Sequence, residues 1–171
     1  YEAMDNFYKD YGVNAGRGSY SKANTASNLI EETRNKMLDI LNLNSKNKQV
    51  VFTSSATISI NTVLKGLDWK KGDVVYYSPF EHNAVLRSLY YLEDKYDLRL
   101  RQIPVDPVTL EFLVDDLEML FINEPPKLVA LSQVSNVCGV IAPVEEISKL
   151  SHQYDGLVIV DGAQGAGIVP T

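Results

Sequence analysis

Four short segments carry residue types able to do chemistry, and each follows an apolar run. In Val160-Asp161-Gly162-Ala163-Gln164, a carboxylate ends the Val/Ile-rich run Leu157 to Val160. Such a run reads as a buried strand of a parallel sheet, and ligands bind at the carboxyl ends of those strands. A buried Asp calls for a cationic partner. Gln164, three residues on, offers the same crevice both a donor and an acceptor. In Thr53-Ser54-Ser55-Ala56-Thr57, small hydroxyl residues separate Val50-Val51-Phe52 from an apolar helical pattern. They cap a helix whose first N–H groups face outward, an arrangement that binds phosphate. For that segment alone a plain Ser/Thr cap is the commoner use, and no Gly-Lys-Ser/Thr follows to make a Walker loop.

The other two segments are Ser78-Pro79-Phe80-Glu81-His82-Asn83 and Ser132-Gln133-Val134-Ser135-Asn136-Val137-Cys138-Gly139. At the start of a helix, His82 can lie flat on an aromatic ring or transfer a proton, although a single His there is more often a surface residue. Asn136 can bond a ligand oxygen from the same edge; an Asx turn explains it equally well. Cys138, the only cysteine, has no neighbour that marks a lowered-pKa thiol and reads as structural. Gly162, Gly165 and Gly167 imitate a dinucleotide fingerprint in reversed order, with Val169-Pro170 where a helix should open, so that reading is rejected. Two distant histidines, His82 and His152, and one cysteine have no metal-ligand spacing, and His152 reads as a helix-surface residue.

Alternating strands and helices must hold these segments. Helices are expected over Tyr1 to Tyr11, Ala23 to Leu43, Thr57 to Leu67, His82 to Lys95, Leu113 to Phe121 and Val144 to Tyr154. In the second of these, Ala26, Leu29, Ile30, Met37 and Leu41 form the buried face. Strands are expected over Gln49 to Thr53, Asp73 to Tyr77, Leu98 to Ile103, Lys127 to Ser132 and Leu157 to Val160. This order implies βαβ units and a mainly parallel sheet. The 171 residues suit one domain; 16 Lys plus Arg against 22 Asp plus Glu give a formal charge of -6, which argues against a nucleic-acid or anionic-membrane surface. No apolar run approaches a membrane span, and one cysteine allows no internal disulfide, so a cytoplasmic protein is expected. The chain opens without Met inside a helical pattern and closes after a glycine-rich loop, and is read as part of something longer.

Together, Thr53-Ser54-Ser55-Ala56-Thr57, Glu81-His82-Asn83, Ser135-Asn136-Val137-Cys138-Gly139-Val140 and Val160-Asp161-Gly162-Ala163-Gln164 resemble the class V aminotransferase family, and most nearly its cysteine desulfurase branch. Pro143-Val144-Glu145-Glu146-Ile147 and Asn14-Ala15-Gly16-Arg17-Gly18 extend the resemblance over essentially the whole chain. It implies a three-layer α/β/α sandwich with a mainly parallel sheet, the aspartate-aminotransferase fold, incomplete here. Residues 1–171 would form part of the large, cofactor-binding domain. The implied cofactor is pyridoxal phosphate, with no metal. Ala56 and Thr57 would bind its phosphate, His82 would stack on its ring and Asn136 would touch the ring substituents. Asp161 would partner the pyridinium nitrogen, and Gln164 would donate to the phenolic oxygen. His82 and Asp161 are the catalytic candidates.

Two positions depart from the family pattern: Ser55 stands in place of Gly and Ile58 in place of Glu. The cofactor-anchoring lysine and the small domain with its loop cysteine would lie beyond Thr171, so these residues alone would be inactive. The whole enzyme would convert L-cysteine to L-alanine and enzyme-bound sulfur, as a homodimer with a sulfur-acceptor protein, and Arg17 would face a partner's pocket. An aminotransferase, selenocysteine lyase or epimerase of the same class, or a non-catalytic domain keeping the fold, are the alternatives.

Overall fold

In the computed structural model, which describes residues 1–16, 20–41, 43 and 48–169, all four residues of Val74–Tyr77 (β1) are buried, because helices cover both faces of that strand. Leu128–Ser132 (β3) is buried throughout for the same reason. Arg99–Gln102 (β2) and Leu157–Asp161 (β4) flank them in the order β2-β1-β3-β4, and every pairing is parallel.

Strand periodicity sorts the core into two layers. Val75, Tyr77, Leu128 and Ala130 meet Ile60 and Leu64 of Ala56–Gly66 (α3) and Val85, Leu89 and Leu92 of Asn83–Tyr96 (α4). On the opposite face, Val74, Tyr76, Val129 and Leu131 meet Leu117 and Phe121 of Val114–Asn123 (α5) and Ile147 and Leu150 of Val144–Gln153 (α6). The result is a three-layer α/β/α sandwich. Phe121 is edge-on to Tyr76 at 4.7 Å and to Tyr154 at 5.7 Å, and its full burial contributes roughly 2–3 kcal/mol.

The connections place the site. The chain leaves β1 through α4 on one face and leaves β3 through α6 on the other, yet β1 and β3 are neighbours. The crevice outside their carboxyl ends is therefore the topological switch point, where open α/β sheets bind ligands.

Residues 1–52 form a separate unit from 53–170. Its helices differ in detail from the sequence reading. The stretch Tyr1 to Tyr11 divides into an α-helix, Glu2–Asn6 (α1), and a π-helical turn, Phe7–Tyr11. The long helix runs Ser21–Ile40 (α2) and buries Ala23, Ala26 and Leu38, while Leu29 and Met37 of the expected apolar face are exposed. A periodic stripe is buried only where other residues cover it. The expected Gln49 to Thr53 strand does not form: strands exist by pairing, no described residue pairs with it, and Val51 and Phe52 are exposed. The Leu157 to Val160 strand forms but is not buried. Among the described residues β4 is an edge strand, with Leu157 45% and Val160 41% exposed. Arg17, Gly18, Asn42, Pro170 and Thr171 lie outside the described residues.

Candidate cofactor site

A cleft of about 230 Å³ opens at the carboxyl ends of β1, β3 and β4. The start of α3 forms one wall. Ser55 has extended backbone (φ −167°), and its Oγ accepts the Ile58 N–H at 3.3 Å. The Thr53 and Ser59 hydroxyls share a bond of 2.6 Å that steadies the turn. As the first two helical residues, Ala56 and Thr57 have N–H groups with no acceptor in their own helix, and both residues line the cleft. The positive end of the helix dipole adds to the attraction for an anion there.

His82 lines the cleft from the start of α4, where it is the capping residue: its Nδ1 accepts the Ala84 N–H at 3.1 Å. An accepting Nδ1 places the proton of the neutral imidazole on Nε2. The sequence located His82 at a helix start; the structure shows that the cap orients the ring.

Asn136 lies in the turn after β3. That turn is built by Ser135, whose Oγ accepts the N–H groups of Val137 (3.3 Å) and Cys138 (3.5 Å), and it closes at Gly139 with φ +72°. The Asn136 side chain makes no hydrogen bond among the described residues, so the Asx turn weighed from the sequence is replaced by a serine turn that leaves Asn136 facing the cleft. Cys138 is exposed, and a hydrogen bond from Ser135 draws its thiol below the ordinary range. The sequence showed no such neighbour because the bond comes from the turn's folding.

Asp161 ends β4 half-buried, less enclosed than its apolar run suggested, because β4 has a single neighbour among the described strands. Oδ1 accepts the Ala163 N–H at 3.0 Å, and Oδ2 has no partner among the described residues. Gln164 follows in a turn where the Gly162 carbonyl accepts the N–H groups of Gly165 and Ala166. A Cβ on Gly165 would lie 2.5 Å from Gln133 Oε1, so a larger residue there requires the Gln133 side chain to shift.

Ala56, Thr57, His82, Asn136, Asp161 and Gln164 thus border one cleft. Ile58 does not line it and is 48% exposed, which places that departure from the family pattern outside the cleft. His152 is exposed on α6. Sequence reasoning gave Glu81 no role. It is buried, accepts the Ser132 N–H at 2.5 Å and the Ser132 hydroxyl at 2.9 Å, and burial together with the Asp161 charge pushes its carboxyl up to about 7. The available signal was a carboxylate in the short link between β1 and α4. Among the described residues no group of acidic, His or Cys side chains could hold a metal ion, and no helix is long and apolar enough to cross a membrane.

The model of the family described as aminotransferase class-V matches residues 1–171. A protein described as "Probable cysteine desulfurase" from Methanothermobacter thermautotrophicus is 34% identical over 96% of this chain and 40% of its own length. The apo structure of cysteine desulfurase from Thermococcus onnurineus superposes with a TM-score of 0.87 at 33% identity, covering 97% of this chain and 41% of that one. The cystine C–S lyase C-DES, in a form with glycine covalently linked to its pyridoxal-phosphate cofactor, superposes with a TM-score of 0.79 at 27% identity, over 99% of this chain and 44% of that one. The chain therefore spans less than half the length of each of these three proteins.

Proposed function

Because the chain belongs to the class-V aminotransferase family, we propose that it supplies the cofactor cradle of a pyridoxal-phosphate enzyme and that the whole protein is a cysteine desulfurase. The observation that carries this reading is the convergence of Ala56, Thr57, His82, Asn136, Asp161 and Gln164 on one cleft at the switch point.

The donor set suits this cofactor. The N–H groups of Ala56 and Thr57, which have no acceptor in their own helix, match a phosphate at a capped helix start. The Oδ2 of half-buried Asp161, without a partner among the described residues, matches a protonated ring nitrogen, since a carboxylate partly shielded from water favours a cation beside it. The imidazole of His82, its Nδ1 engaged by Ala84, can lie on a ring face and hold a proton at Nε2. Gln164 can donate to the phenolic oxygen, and Asn136 can bond the ring substituents. When bound, pyridoxal phosphate supplies an electron-accepting ring that weakens the bonds at a substrate's α-carbon.

The residues would belong to the large domain, with the anchoring lysine and the sulfur-accepting thiol supplied from outside these 171 positions. A homodimer and an acceptor protein for the sulfur complete the reading by family resemblance, and the single cysteine fits a cytoplasmic setting.

Titration with pyridoxal phosphate, followed by absorbance, tests the cradle in wild type and Asp161→Asn. Surface lysines react with the aldehyde, so the comparison carries the inference. Saturable binding weakened by about tenfold or more in the variant supports the reading, as expected for the loss of a partly buried ion pair. Identical titrations overturn it. The similarity to a cystine C–S lyase favours a second reading, carbon–sulfur elimination. In the whole protein, alanine formed from L-cysteine supports the desulfurase, and pyruvate supports the lyase.

A further inference from the structure

Glu81 is 8% exposed and lies between the strand ends that carry His82 and Asp161. Its placement follows from where β1 stops. The last backbone bond between β1 and β3 runs from the Ser78 N–H to the Ala130 carbonyl at 3.1 Å. Pro79 then turns the chain away and has no N–H to offer. Two residues beyond Ala130, the Ser132 N–H therefore faces the β1 side without a strand acceptor. The Gln133 N–H points the other way, to the Asp161 carbonyl at 2.9 Å.

Glu81 fills that gap. Its Oε1 accepts the Ser132 N–H at 2.5 Å, and its Oε2 accepts the Ser132 hydroxyl at 2.9 Å. Ser132 is registered opposite Asp161 in the parallel ladder. One side chain thus continues the sheet's hydrogen bonding across the crevice between β1 and β3. It runs from the residue peptide-bonded to His82 to the rung that holds Asp161. An apolar residue at this position would leave the Ser132 N–H unmade in a buried setting, which costs more than a made bond contributes.

We propose that Glu81 is a positioning residue that sets the separation of the His82 and Asp161 walls of the cleft through Ser132. It acts by hydrogen-bond geometry, so an amide of the same shape serves in its place. Only the ligand-binding consequence rests on the cofactor reading above.

The test is nuclear magnetic resonance of the full chain, whose two histidines make the imidazole signals assignable, with His152 as the internal control. In wild type, His82 is expected as the Nε2–H tautomer with a protected Ala84 amide. In Glu81→Ala, Ala84 exchange is expected to accelerate by about tenfold or more and His82 to become a mixture of tautomers, with His152 unchanged. Glu81→Gln is expected to return both signals to the wild-type pattern. A parallel pyridoxal-phosphate titration should weaken in the alanine variant and recover in the glutamine variant. If wild type binds no cofactor, the functional reading fails, while the histidine signals still decide this one. Unchanged His82 and Ala84 signals in Glu81→Ala overturn the proposal, as does a Glu81→Gln protein disturbed as much as Glu81→Ala. Should Glu81→Ala not fold, Ser132→Ala removes one of the two bonds from the other end; faster Ala84 exchange supports the proposal and unchanged exchange overturns it.

Discussion

Burial, and then the facing charge of Asp161, raise the Glu81 carboxyl from 4.5 to about 7, against the opposing hydrogen bonds of Ser132 and Ser78. A carboxyl raised in this way holds its proton more tightly in the folded state. Its stabilisation is complete below about 4.5 and is lost as the pH climbs through about 7. At about 1.4 kcal/mol per unit, the loss is at most roughly 3.5 kcal/mol. Glu124, Glu145 and Asp106 run the other way. Arg101, Lys149 and the Thr109 N–H respectively hold them low, so their contributions vanish only in more acidic solution. Denaturant unfolding between pH 4.5 and 7.5 is therefore expected to show stability falling with pH in wild type and a flatter profile in Glu81→Gln. A slope that survives the substitution assigns the titration to another group. At this scale the sequence displayed residue types but not their surroundings. Asp161 read as buried and is half-exposed, and Glu81, which had no role in the sequence reading, is buried.

Elements were legible where their signals are local. Ser55 and His82 stand at helix starts because a short acceptor satisfies N–H groups within the next turn, which depends on neighbours in sequence alone. Strand existence was less legible: Gln49 to Thr53 has strand-like residues but finds no described partner. The turn after β4 depends on both kinds of information. Gly165 is visible in the sequence, but the residue it packs against is Gln133, which follows β3 and would have to shift to admit a Cβ. Gly165→Ala is expected to displace Gln133 and destabilise the fold by roughly 1–3 kcal/mol, the usual cost of overpacking. Thermal unfolding measures it, and a melting temperature equal to wild type would show that Gln133 yields freely.

For the whole molecule, the layers follow from alternation within β1 and β3, and the cleft follows from strand order. β4 carries an edge unpaired among the described residues, with Leu157 and Val160 exposed. Such an edge templates further pairing. Sedimentation is expected to show concentration-dependent association of the chain, reduced in Val160→Lys; a monomer at every concentration would show that the edge is protected. The sequence by itself determined the βαβ alternation from Asp73 onward, the helix starts at Ser55 and His82, and that His82, Asn136, Asp161 and Gln164 follow strand ends, since each depends on the local chain. Only the tertiary structure decided that β1 and β3 lie side by side, that β4 lies at the edge, and that Glu81 reaches Ser132. Strand order, burial and that bond join residues far apart in the chain, and no local pattern encodes which of them will meet.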